Sequence, residues 1–172
     1  MPPLLRPALL TFVLALAPAG ARAEGFALGL RGGLAAPGAE AVQAGPSVGI
    51  SAGMRLGTRY RLVLGFDQST HSLASQRAAI VDASTGWFGI EAALDEAPIV
   101  PALALGPALQ YAARRERDAR AWVPTAFVDL GLRAPLRYGI VLGVHARYLT
   151  SDFSREGFPA FSSFFLEIGW AP

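Results

Sequence analysis

The sequence predicts an all-β fold: an eight-stranded antiparallel up-and-down transmembrane β-barrel after a cleaved signal peptide. Three observations predict it. Eight segments alternate apolar residues with small or polar ones at period two, and successive side chains of a strand point to opposite faces. The connections between these segments run long, short, long, short along the chain, the asymmetry of a barrel with long loops on one side of a membrane and short turns on the other. Hydrophobic residues make up 52% and charged residues 16%, yet beyond the N-terminus no run of about 18 apolar residues marks a membrane helix.

Residues 1–23 read as the signal peptide and 24–172 as one barrel domain. Arg6 supplies a short positive region, Ala8 to Ala17 an apolar one, and Ala21-Arg22-Ala23 a small-x-small cleavage site before Glu24. Removing Arg6 and Arg22 leaves 13 arginines against 13 acidic residues. The mature chain is neutral, so bulk charge gives no reason to expect nucleic acid as a partner. The chain contains no Cys, which excludes disulfides, thiolate metal sites and Cys nucleophiles. Its basic residues are all Arg, which we attribute to a GC-rich genome.

The first strand is expected over Gly25–Gly33, with Phe26, Leu28 and Leu30 opposite Ala27, Gly29 and Arg31. After the loop Leu34–Pro46, the second strand, Ser47–Leu56, sets Val48, Ile50, Ala52 and Met54 against Ser47, Gly49, Ser51, Gly53 and Arg55. Gly57-Thr58-Arg59 turns the chain into the third, Tyr60–Gln68, where Leu62, Leu64 and Phe66 oppose Arg61, Val63, Gly65 and Asp67. A long polar connection is expected over Ser69–Thr85, in which the apolar Ala78–Val81 is compatible with a hairpin continuing beyond the membrane. The fourth strand, Gly86–Leu94, places Phe88, Ile90 and Ala92 opposite Trp87, Gly89 and Glu91, and Asp95 to Pro98 make the next turn.

The fifth strand, Pro101–Tyr111, opposes Leu103, Leu105, Leu109 and Tyr111 to Ala102, Ala104, Gly106, Ala108 and Gln110. Pro107 removes a ladder donor there and reads either as a bulge or as a break in this strand assignment. The loop Ala112–Ala121 carries Arg114, Arg115, Arg117 and Arg120. The sixth strand, Trp122–Arg133, faces Phe127, Asp129 and Arg133 away from Val128, Leu130 and Leu132. After Ala134-Pro135-Leu136, the seventh, Arg137–Tyr148, opposes Tyr138, Ile140, Leu142, Val144 and Tyr148 to His145 and Arg147. The loop Leu149–Pro159 leads to the eighth, Ser162–Trp170, where Phe164, Leu166, Ile168 and Trp170 oppose Phe165 and Glu167.

Aromatic residues sort by height on the apolar face. Phe26, Tyr60, Tyr138 and Trp170 fall at the short-turn side; Phe66, Phe88, Tyr111, Trp122 and Tyr148 fall at the long-loop side, with an aliphatic band between. Two aromatic girdles are what the two membrane interfaces select. A secreted soluble barrel would instead bury this face and hydrate the other, which here is mostly Gly, Ala and Ser and suits a crowded interior.

The hairpin rhythm, the size, the phrase Gly143-Val144-His145-Ala146-Arg147-Tyr148-Leu149 and the aromatic last strand resemble the small eight-stranded outer-membrane barrels, the family of outer membrane proteins A, X and W. That resemblance implies a monomer in the outer membrane of a Gram-negative bacterium, with both termini in the periplasm. It implies outer-membrane lipid and lipopolysaccharide as surroundings and the barrel-assembly machinery as a partner during biogenesis. The family pattern ends on the aromatic residue itself, whereas Ala171-Pro172 follow Trp170.

Inside, Arg31, Arg55, Asp67, Glu91, Asp129, Arg133, His145, Arg147 and Glu167 form the expected lumen charge network, with Glu167 facing Arg31 across the closure. Buried charges must pair, so the network reads as a plug. The four arginines Arg114, Arg115, Arg117 and Arg120 read either as a solvated hairpin tip, offset by Glu116 and Asp118, or as a contact for lipopolysaccharide phosphates, which arginine matches bidentately. No metal spacing, phosphate loop or nucleotide fingerprint points to a cofactor. Lipid A deacylases of this fold class use His-x-Ser with a Glu; here Arg147 occupies the serine position after His145, and His71-Ser72 lacks the spacing, so no catalytic residue is assigned and no enzyme is expected. The expected role is structural or surface-interacting, with specificity in four extracellular loops. A narrow channel for small or apolar solutes is the alternative, and a lipid A-modifying enzyme the third.

Overall fold

The computed structural model describes residues 25–38, 42–73, 76–93, 98–114, 119–150 and 160–171. The signal-peptide assignment, Arg115, Arg117 and most of the loop before the last strand lie outside these residues. Eight strands run β1 (Phe26–Pro37), β2 (Gly45–Arg55), β3 (Tyr60–Leu73), β4 (Gln76–Ala93), β5 (Val100–Arg114), β6 (Ala119–Pro135), β7 (Ile140–Thr150) and β8 (Phe161–Trp170). Each pairs antiparallel with its sequence neighbours, and β8 returns to β1, closing the barrel. The closing ladder runs from Leu28↔Trp170 to Pro37↔Phe161 and sets Arg31 opposite Glu167.

The two faces fall as the alternation requires. In β8, Phe164, Leu166 and Ile168 are exposed while Ser163, Phe165 and Glu167 are buried. Leu30, Val48, Leu64, Ile90, Leu105, Leu130 and Val144 continue the exposed apolar band around the barrel. Charge and hydroxyl groups go inward and hydrocarbon goes outward, the reverse of a water-soluble barrel and the arrangement a bilayer stabilises.

Large inward side chains are accommodated by inward glycines on neighbouring strands. A Cβ on Gly65 would stand 2.3 Å from the Trp87 ring, and one on Gly49 would stand 2.0 Å from Asp67 Oδ1. Trp87, Phe127 and Phe165 fill the middle of the lumen, with Trp87 and Phe127 packed edge to face at 5.3 Å. The crowding is what an eight-stranded barrel allows.

Several expected boundaries move. Most of the presumed connection Ser69–Thr85 is strand: β3 and β4 stay paired up to Leu73↔Gln76, with a register shift at Ser72/Leu73. Beyond the bilayer the outward face meets water and need not be apolar, while Ser69, His71, Ala83 and Thr85 stay buried inside, so the apolar/polar alternation fades as backbone pairing continues. β5 and β6 likewise pair as far as Arg114↔Ala119, which places the backbones of Arg114 and Arg120 on strands.

Pro107 makes no bulge. It pairs in register with Ala126, and the β4–β5 ladder keeps one register on either side of it, from Trp87↔Ala108 to Ile90↔Leu105. Only the rungs at Phe88 and Gly89 drop out, so the missing donor falls on the β4 side. Tyr138 is not on a strand: Arg137–Gly139 form a 3-10 turn in which Tyr138 and Gly139 both have positive φ, and β7 starts at Ile140.

Candidate functional site

Closure brings side chains from six strands into one buried network. Arg31 on β1 donates through Nε to Glu167 Oε2 at 2.6 Å and through Nη1 to Asp129 Oδ2 at 3.3 Å. Arg147 on β7 donates Nε and Nη2 to Asp129 Oδ2, at 2.9 and 2.6 Å, and Nη1 to Asp67 Oδ2. Trp87 Nε1 donates to the same Asp67 oxygen at 2.7 Å. His145 Nδ1 lies 2.8 Å from Asp129 Oδ1. Nearer the short turns, Arg133 Nη1 donates to Glu91 Oε1, and Arg61 Nη1 approaches the same oxygen at 3.8 Å.

Arg147 is the centre of this arrangement. Its side chain is 1% exposed and joins two carboxylates from different strands. Its guanidinium also lies 4.0 Å from the Trp87 ring centroid, with Phe127 at 5.1 Å and Phe165 at 5.7 Å. The planar, weakly hydrated guanidinium suits this setting, bonding in its plane and stacking on its face.

Two lumen cavities are small. One, of about 20 Å³, is lined by Arg31, Arg61, Arg133 and Glu167 near the short turns. The other, of about 10 Å³, is lined by Asp67, Ser69, Gln110 and Arg147 toward the long loops. Each has room for about one water. Among the described residues, no group of His, Asp and Glu is arranged to hold a metal ion.

Arg55 stands apart from the network. It is exposed at the end of β2, and its register partner is Arg61, so a like charge opposes it instead of a carboxylate. Strand parity sends it toward the lumen, but the position lies at the rim. Arg61, at the neighbouring rim position, does reach Glu91.

Of the girdle residues, Tyr60, Phe88, Trp122, Tyr138 and Tyr148 are exposed, while Phe26, Phe66, Tyr111 and Trp170 are half-buried. Tyr111 and Trp122 are register partners with ring centroids 4.8 Å apart. Phe164, 63% exposed on β8, joins the apolar belt and was not among the expected girdle residues.

One polar cluster escaped the sequence reading. Ser69 Oγ and His71 Nε2 are 2.8 Å apart, and His71 Nδ1 lies 3.2 Å from the Gln43 carbonyl. Reading residues 69–85 as a connection hid this pair. Once β3 is extended, period two puts Ser69 and His71 on one face and Ser72 on the other.

No family model matches the chain, and no curated protein matches it. Solved structures do. Neisserial surface protein A matches with a TM-score of 0.69 at 14% identity, over 87% of this chain and 98% of that one. The N-terminal β-barrel domain of Pseudomonas aeruginosa OprF matches with a TM-score of 0.58 at 13% identity, over 84% and 97%. Ail, the attachment invasion locus protein of Yersinia pestis, matches with a TM-score of 0.57 at 11% identity, over 86% and 99%. Ail has also been solved in complex with the heparin analogue sucrose octasulfate. With the closed antiparallel topology and the inverted faces, these likenesses establish that the chain has the fold of the small eight-stranded outer-membrane β-barrels.

Proposed function

We propose that this chain is a non-catalytic, monomeric outer-membrane barrel, closed to solutes, that acts through the surface it presents outside the cell. The observation that carries the closed state is the lumen itself. Arg31, Arg147, Asp67, Asp129 and Glu167 cross-link strands through its centre, and the cavities beside them hold about one water each. A conduit for small or apolar solutes needs a continuous path, and the Arg147–Trp87 stack stands across it. In planar bilayers the folded protein is expected to stay at leak level; discrete conductance steps would overturn the plug.

The reading of His145 as a structural lumen residue is supported by the geometry around it. The side chain is 2% exposed, and its Nδ1 is engaged with Asp129. A lipid ester outside the wall has no route to it. No cofactor is invoked.

For the outer surface we propose phosphate or sulfate groups of lipopolysaccharide-like polyanions as partners, met by Arg114, Arg115, Arg117 and Arg120. The sulfated ligand bound to Ail, a barrel of the same fold, is in keeping with this chemistry. Replacing the four arginines by Ser is expected to reduce lipopolysaccharide binding without changing heat-modifiable gel mobility. Unchanged binding would remove the loop from the proposal.

A further inference from the structure

Among the described residues, the short-turn mouth of the barrel holds more arginine charge than its carboxylates neutralise. Arg55 and Arg61 face each other directly across the β2–β3 ladder, a pairing that is unfavourable unless something anionic lies between. Glu91 is opposite Arg61 on the other side, but its Oε1 already accepts from Arg133, and Arg61 reaches it only at 3.8 Å. Glu167, the next carboxylate, is held by Arg31 at 2.6 Å and lies 3.8 Å from Arg133 Nη2. Arg55 makes no ion pair among the described residues.

A second observation points the same way. Arg133 Nε is buried and has no hydrogen-bond partner, and Arg133 lines the cavity of about 20 Å³ at this mouth together with Arg61 and Ser51. A buried guanidinium N–H without an acceptor is costly. Gly53 keeps the place open, since a Cβ there would stand 2.5 Å from Arg61 Cδ. The Arg61 side chain is 23% exposed, so it belongs to the cavity and to the solvent at once.

We infer that the short-turn mouth is an anion site for a phosphate group, with Arg133 and Arg61 as inner donors and Arg55 as the outer one. The cavity is large enough for one anionic oxygen and too small for a whole phosphate. One oxygen therefore enters toward Arg133, and the rest of the group stays in the mouth against Arg61 and Arg55. Guanidinium forks match phosphate oxygens at this geometry. In the orientation that the family resemblance implies, with the termini in the periplasm, the mouth faces that compartment, where the group is either free phosphate or the headgroup of an inner-leaflet phospholipid. The site is separate from the proposed outer surface and survives if that proposal fails.

The test uses the full barrel folded in neutral detergent. Inorganic phosphate is expected to broaden in its phosphorus NMR signal when protein is added, and to raise the apparent melting temperature saturably above chloride at equal ionic strength. Arg55→Gln and Arg61→Gln are chosen because neither leaves a fully buried carboxylate without its closest partner, and both should still fold. The double variant is expected to lose both effects. In a second arm, micelles doped with phosphatidic acid replace free phosphate. A stabilisation seen only there, and lost in the double variant, assigns the site to lipid headgroups; one seen only with inorganic phosphate assigns it to the free ion. If neither probe shifts the melting temperature or the phosphorus signal, or if the double variant responds like the parent, the mouth holds water only and the inference is wrong.

Discussion

Arg147 concentrates the energetics of the interior in one residue. It is bonded to Asp67 and Asp129, which come from strands far apart in sequence, and stacks on Trp87. Arg147→Ala leaves two buried carboxylates short of their main donor, and removing one partner from such a network costs about 3–5 kcal/mol. Arg147→Lys restores charge but not the fork, and should recover only part of that loss. Urea unfolding of the folded barrel in micelles measures both; equal stability of all three proteins would mean that Asp67 and Asp129 are satisfied by other groups. His71 behaves differently because it lies five residues beyond Phe66, past the upper girdle. Burial lowers its pKa, while the Gln43 carbonyl and then Asp82 oppose the shift in part. With the folded value below the unfolded one, its neutral form contributes stability that is present above about pH 6.5 and is lost as pH falls toward the folded value. His71→Gln should flatten the acid limb of the stability curve below about pH 6.5, and an unchanged limb would place that dependence elsewhere.

At the scale of elements, the strands split into a membrane-spanning part and an extension. β3 and β4 remain paired at Thr70↔Asp82 and His71↔Val81, where Thr70 Oγ1 also donates to Asp82 at 3.0 Å. These rungs are reached by water from the outward face, although His71 stays buried inside, whereas Leu62↔Ile90 sits within the apolar band. Amide exchange is therefore expected to be measurably faster at Thr70 and Val81 than at Leu62 and Ile90, yet slower than in an unpaired loop. Random-coil rates at Val81 would show that the extension does not persist in solution. This division explains what the sequence made legible. Inside the membrane, one face must be apolar, so period two writes the strand directly: Leu166, Ile168 and Trp170 against Phe165 and Glu167. The same parity, with closure of the last strand on the first, places Glu167 opposite Arg31. Above the membrane no such constraint acts, and Ser69 to Thr85 reads as polar connection although it is largely paired backbone. Pro107 was legible as a missing donor, but not which ladder would lose the rung. Arg55 shows the limit of parity: the rule gives the direction of a side chain but not its height, and height decides whether an arginine is inside or at the rim.

For the molecule as a whole, everything rests on which face is outside. The exposed face is hydrocarbon, the interior is ionic, and the three tryptophans sample both. Trp87 is 4% exposed under Arg147, whereas Trp122 is 60% exposed beside Tyr111 at the long-loop girdle. In vesicles of brominated lipid, a variant retaining only Trp122 (Trp87→Phe with Trp170→Phe) is expected to lose much of its fluorescence, because bromine quenches only on near contact. Quenching should be stronger with bromine near the headgroup end of the acyl chain than near its terminus, since aromatic rings at a girdle sit at the interface. A variant retaining only Trp87 (Trp122→Phe with Trp170→Phe) should be nearly insensitive to either lipid, because the barrel wall separates it from the chains. Trp87→Phe removes the indole N–H bonded to Asp67, so the first variant is also checked for heat-modifiable mobility before its spectrum is read. Strong quenching of Trp87 together with weak quenching of Trp122 would reverse inside and outside, and with them the plug, the girdles and the mouth. The expected order of the two tryptophans follows from one physical fact that every strand shares: a closed barrel leaves no backbone group unpaired at an edge, so the side chains alone decide which face the bilayer touches.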